Sequence, residues 1–76
     1  MAIRVRVFAS LKERLGMEQI EVAAEGIRCV ADVWRRVSGE ELPANVLAAV
    51  NMNHAGPRDP VRDGDEVAFF PPVTGG

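Results

Sequence analysis

A single cysteine, Cys29, stands in a chain of 76 residues. It permits no internal disulfide, and the paired spacing of a zinc site is absent. A reducing cytosol is the expected setting. Basic residues do not gather beyond Arg35-Arg36, and the formal net charge is -2 with a pI near 5.3. Nucleic acid is therefore excluded as an expected partner. No run approaches the roughly 18 apolar residues that a membrane helix needs. The opening Met1-Ala2-Ile3-Arg4-Val5-Arg6-Val7 alternates in character, unlike the apolar heart of a signal peptide. A soluble, cytoplasmic protein is expected, with neither nucleic acid nor membrane as a partner.

Catalytic signatures are equally scarce. Ser10, Ser38 and the only histidine, His54, form no nucleophile elbow or triad pattern. Asp63, Asp65 and Glu66 lack the spacing of a calcium loop and read as a solvated turn, so no metal site is expected. Cys29 falls where a helix N-cap belongs, a place that can activate a thiol; a small buried thiol is the expectation.

What the chain does have is 47% hydrophobic and 26% charged residues, the composition of one small globular domain. A chain of this size buries only about 60% of its unfolded surface. So thin a core leaves little room for a catalytic cleft, and the function is expected to lie in contacts with other proteins.

Ile3, Val5 and Val7 alternate with Arg4, Arg6 and Phe8, the period of a half-buried strand. The aliphatic set faces the core, which leaves Phe8 beside the arginines on the outer face. Ser10 is the predicted cap of a short helix, Leu11 to Leu15, ended by Gly16. Gln19-Ile20-Glu21-Val22 alternates again and reads as a second strand, antiparallel to the first; a loop follows to Arg28. Val30, Val33, Trp34 and Val37 recur at helical spacing and predict the main helix, ended by Gly39, with Asp32, Arg35 and Arg36 on its wet side.

After a connection through Pro43, Val46 to Val50 is an apolar run suited to an inner strand. Asn51-Met52-Asn53 turns the chain. Gly56, Pro57 and Pro60 confine any strand in the His54 to Arg62 stretch to a short edge piece. Asp63-Gly64 is a turn, and Glu66 to Phe70 the last strand. The main helix supplies the long crossover that a parallel pairing of first and last strands requires. The order predicts an α+β fold: a mixed sheet curled over one main helix, the β-grasp or ubiquitin-like arrangement. No internal repeat or low-complexity segment is present.

Residues 1–70 read as the folded domain and 71–76 as an extended tail. Pro71 and Pro72 lack backbone N–H groups and have a fixed φ, so they end the strand and project the chain outward. Six residues from Pro71 to Gly76 span roughly 20 Å at about 3.3 Å each. Gly75 and Gly76 carry no Cβ, so a terminal carboxylate can enter a narrow slot. An inert, flexible stub is the plainer reading of the same residues.

Alternation in the last strand makes a second point. With Val67 and Phe69 inward, Glu66, Ala68 and Phe70 face out, on the side of Phe8. Two phenylalanines on adjacent strands of an outer face mark a candidate docking patch, and His54 lies where it can border it. A Phe packed under a loop, or a histidine simply in solvent, is the alternative.

Leu47-Ala48-Ala49-Val50-Asn51, the run Asp63-Gly64-Asp65-Glu66-Val67-Ala68-Phe69-Phe70-Pro71-Pro72-Val73 and the terminal Gly75-Gly76 together resemble the small, sulfur-carrying subunits of molybdopterin synthase. The opening strand with Phe8, the Leu11 to Gly16 segment and the overall length also match, so the resemblance spans the domain; it is weakest from Met52 to Arg62. It implies that Gly76 is adenylated with ATP by an E1-like adenylyltransferase and then converted to a thiocarboxylate by way of a sulfur donor protein. The chain itself binds no cofactor beyond that transient glycyl-adenylate.

The same resemblance implies that Gly75, Thr74, Val73, Pro72 and Pro71 thread into the large synthase subunit, within a heterotetramer. Phe8 and Phe70 match the family's docking residues and Lys12 a basic interface residue, whereas His54 stands where a typical relative is apolar. Sulfur then passes to cyclic pyranopterin monophosphate to build the dithiolene, with the catalytic residues on the large subunit. Two readings remain beside this one. Gly-Gly sulfur carriers also serve the thiazole of thiamine and the thiolation of tRNA, without the Phe-Phe-Pro-Pro approach. A ubiquitin-like interaction module with an inert tail is the other.

Overall fold

The computed structural model describes residues 2–72. In chain order it holds β1 (Ala2–Val7), α1 (Ser10–Leu15), β2 (Gln19–Ala23), α2 (Val30–Ser38), β3 (Leu47–Val50), β4 (Asn53–Ala55) and β5 (Glu66–Phe70). The strands form one sheet in the order β2-β1-β5-β3-β4. β1 and β5 run parallel at its middle, with Val7 opposite Phe69, and the remaining pairs are antiparallel. This is the mixed sheet on one main helix that the order of apolar patterns predicts.

Strict alternation in β1 explains which face is buried. Ile3, Val5 and Val7 lose all but 1% of their exposure or less, while Arg4 and Arg6 stay in solvent. Val67 and Phe69 of β5 join them, and α2 covers the layer with Val30, Val33 and Trp34. The Trp34 and Phe69 rings meet edge to face, centroids 5.0 Å apart. The Trp34 indole N–H is buried without a hydrogen-bond partner among the described residues. Val37, also on the apolar stripe, is only half-buried at the end of α2.

Both helices stop where glycine makes a left-handed turn cheap. Gly16, at φ 70, donates to the carbonyl of Lys12, and Gly39, at φ 77, to that of Arg35. Their beginnings depart from expectation. Ser10 is the first residue of α1 rather than its cap; Ala9 holds the cap position at φ 56, and no side chain caps the helix. The pairing of β1 with β5 continues one step, the Phe8 amide donating to the Phe69 carbonyl at 3.1 Å, so Ala9 alone must turn the chain. Cys29 does occupy the N-cap of α2 but is half-buried, not enclosed, because its backbone bridges to Pro60 at the surface.

Asn51 and Met52, both at positive φ, join β3 to β4 in a two-residue turn. The Asn51 side chain accepts from the Glu66 amide and donates to Asp65, each at 3.0 Å, which ties this hairpin to the start of β5. β4 is a short edge strand, as the glycine and prolines after it require. No helix among the described residues is long and apolar enough to cross a membrane.

Two carboxylates lock the turns at the tail-distant end of the sheet and the start of α2. The Arg62 amide, 2.8 Å from Asp65, and then the Asn51 side chain hold the Asp65 carboxyl below its ordinary 3.8. For Asp32 the Arg28 amide at 3.0 Å leads, partial burial opposes, and Cys29 and Arg35 add to the lowering. A depressed folded-state value stabilises the fold fully above the unfolded pKa, and the contribution is lost as pH falls through the folded one. The thermal midpoint should therefore fall with acid below about pH 4. The pair Asp32→Asn and Asp65→Asn should flatten that part of the profile; an unchanged acid limb would remove these two groups from the account.

Candidate functional site

The outer face of the sheet is built by the residues that alternate with the core. Phe8 follows the Val7–Phe69 pair and so lies level with Phe70 on the neighbouring strand. Phe8 is 41% exposed, and the Arg6 guanidinium sits 5.4 Å from its ring centroid. On the other side of Phe70, β3 places Leu47 directly opposite, itself 37% exposed. His54 of β4 reaches across Ala49 to meet the Phe70 ring edge to face, centroids 5.7 Å apart.

Phe8, Phe70, Leu47 and His54 thus form one apolar band at the end of the sheet where β5 gives way to Pro71 and Pro72. Phe70 is half-buried under its neighbours, less open than alternation alone implies. The band runs to the base of the tail.

Lys12 belongs to a different part of this end. It lies on α1, half exposed, 3.8 Å from Glu18, which precedes the edge strand β2, whereas His54 is on the opposite edge. Pro71 is half-buried and Pro72 exposed. The predicted roles of Val73, Thr74, Gly75 and Gly76 fall outside the described residues. Leu47 is the member that sequence reasoning missed. It sits in an apolar run without visible period, and only its antiparallel register with Phe70 assigns it to the outer face.

Elsewhere the surface carries less. A groove beside α2 is lined by Gly26, Asp32, Arg35 and Arg36. Its arginines are already engaged: Arg36 donates to the carbonyls of Ala23 and Glu25, at 3.1 and 2.7 Å, and Arg35 pairs with Asp32 and Glu41. Among the described residues no group of His, Cys, Asp or Glu is arranged to hold a metal ion.

The model of the ThiS family matches residues 5–76, from the middle of β1 through both helices and the other four strands to the last residue. The chain belongs to the ThiS family. Its ThiS-family relatives include the molybdopterin synthase sulfur carrier subunit of Escherichia coli (strain K12), 41% identical over 83 aligned positions that cover 97% of this chain and 99% of the relative. The protein of the same name from Haemophilus influenzae is 32% identical, with the same coverage of both chains. Among solved structures, SAMP1 from Haloferax volcanii superposes with a TM-score of 0.78 at 26% identity, covering 100% of both chains. The sheet is therefore a ubiquitin-like β-grasp.

Proposed function

We propose that this chain is the sulfur carrier subunit of a molybdopterin synthase. The observation that carries the reading is its identity of 41% across 97% of its length to a protein of that name. The apolar band of Phe8, Leu47, His54 and Phe70 supports it, since a carrier must seat on the enzyme it supplies. The division of labour is simple. Residues 1–70 are the docking body, and residues 71–76 the arm.

A carboxylate is a poor acyl donor because its oxygen leaves poorly. An E1-like partner joins the Gly76 carboxyl to AMP with release of pyrophosphate; sulfide-level sulfur delivered by a donor protein then attacks the acyl carbon, AMP leaves with the C–O bond electrons, and a thiocarboxylate remains. That group is an anionic sulfur nucleophile at neutral pH. The large synthase subunit, with two copies of each chain in the assembly, receives the arm and supplies the acids, bases and pterin pocket. Two sulfur deliveries to cyclic pyranopterin monophosphate build the dithiolene, and each returns Gly76 to a carboxylate. Lys12 serves as a basic contact at the rim and His54 as part of the band.

Reconstitution tests the whole reading. The full chain, the large subunit, the activating enzyme, ATP, a sulfur donor and cyclic pyranopterin monophosphate should together yield molybdopterin. Co-purification with a thiazole-forming or tRNA-thiolating enzyme, and no molybdopterin, would assign the sulfur to another acceptor.

A further inference from the structure

We infer that His54 makes docking of this chain on the large synthase subunit depend on pH, the neutral imidazole being the form that binds. The inference rests on the docking role of the outer face given above, and adds its regulation.

His54 meets the Phe70 ring at 5.7 Å, and the outward-facing residues next to it in the sheet register are Ala49, Ala68, Leu47 and Phe70. Whatever seats on Phe70 covers the imidazole as well. The charged groups that face His54 are few. β3 and β5 oppose it with Ala49 and Ala68, which do not titrate. On β5 the next outward residue is Glu66, which is 3.8 Å from Arg4 of β1. Arg6 lies in the same row but three strands away, beside Phe8. On its own strand the neighbours are Asn53 and Ala55, and in the turn beyond, Asp59 accepts from the Gly56 amide at 2.8 Å while Arg58 adds only positive charge. Among the described residues no carboxylate is free to pair with a protonated His54 on this face.

An imidazolium covered by an apolar partner therefore loses its water and gains no counter-charge, which disfavours the charged form. Histidine is the side chain whose ordinary titration lies between pH 5 and 8, so this discrimination falls in a physiological range. The sign follows by linkage. Docking disfavours the protonated ring, so affinity is full where the imidazole is neutral and declines as acid protonates it.

The test is the dissociation constant of the full chain for the purified large subunit, measured by calorimetry from about pH 8 to about pH 5.5, a range that spans the ordinary imidazole titration. Wild type should weaken about tenfold across the range, whereas His54→Leu and His54→Gln should hold a nearly constant affinity once any slope common to all three is removed. His54→Leu should bind at least as tightly as wild type at the upper limit. Equal slopes in all three proteins would overturn the inference while leaving the docking face intact. A wild-type affinity that rises in acid would overturn it too, by revealing a carboxylate on the partner. No binding at any pH would remove both the inference and the docking role on which it rests.

Discussion

Deleting Gly76 should leave a folded protein that takes up no sulfur. Among the described residues every buried hydrophobic lies between Ile3 and Phe69, and a glycine has no side chain to withdraw from a core. The thermal midpoint of the shortened chain should match that of the full chain. Its chemistry should be lost entirely, because in the proposed reaction the acyl carbon that is activated belongs to Gly76, and a carboxylate moved inward by one residue would no longer reach the same point in a partner. The measurement is the intact mass after incubation with the activating enzyme, ATP and a sulfur source. The full chain should gain the difference between sulfur and oxygen, and the shortened chain nothing. Gly76→Ala retains a terminal carboxylate and adds only a Cβ, so it separates the need for the group from the need for a narrow chain. Sulfur found on the shortened chain would locate the reactive group elsewhere and end the proposal.

The fold was largely legible because its signals are local and mutually consistent. Alternation of Ile3, Val5 and Val7 against arginine states which face of β1 is buried, and the helical stripe of Val30, Val33 and Trp34 states what covers it. Gly16 and Gly39 end the helices where a positive φ is needed. What could not be read locally depended on pairing between distant strands. Ala9 adopts its unusual φ of 56 because β1 stays paired to β5 through the Phe8 amide, a constraint set some sixty positions away along the chain. Ser10 consequently enters the helix and loses the capping role that its type favours. The same is true of the candidate site. Phe8 and Phe70 follow from alternation alone, but Leu47 and the His54–Phe70 contact follow from the register of β3 with its two neighbours.

Phe8→Ala and Phe70→Ala should each weaken docking on the large synthase subunit by about 2 kcal/mol or more, which is about thirtyfold in Kd. The two losses have different origins. Phe8 is 41% exposed in the free chain and has the larger area still to bury, so its truncation removes new contact with the partner. Phe70 is already half-buried between Leu47 and His54; its truncation also removes the wall against which His54 rests. The double variant should therefore lose a different amount from the sum of the singles, since neighbours that share partners are not independent. Stability separates docking from folding. Phe8 lies outside the core, and its loss should move the unfolding free energy by no more than about 0.5 kcal/mol, so weakened binding there cannot be unfolding. Were both single variants to bind as tightly as wild type, the band at the base of the tail would be surface without a partner, and the arm would have to find its slot unaided.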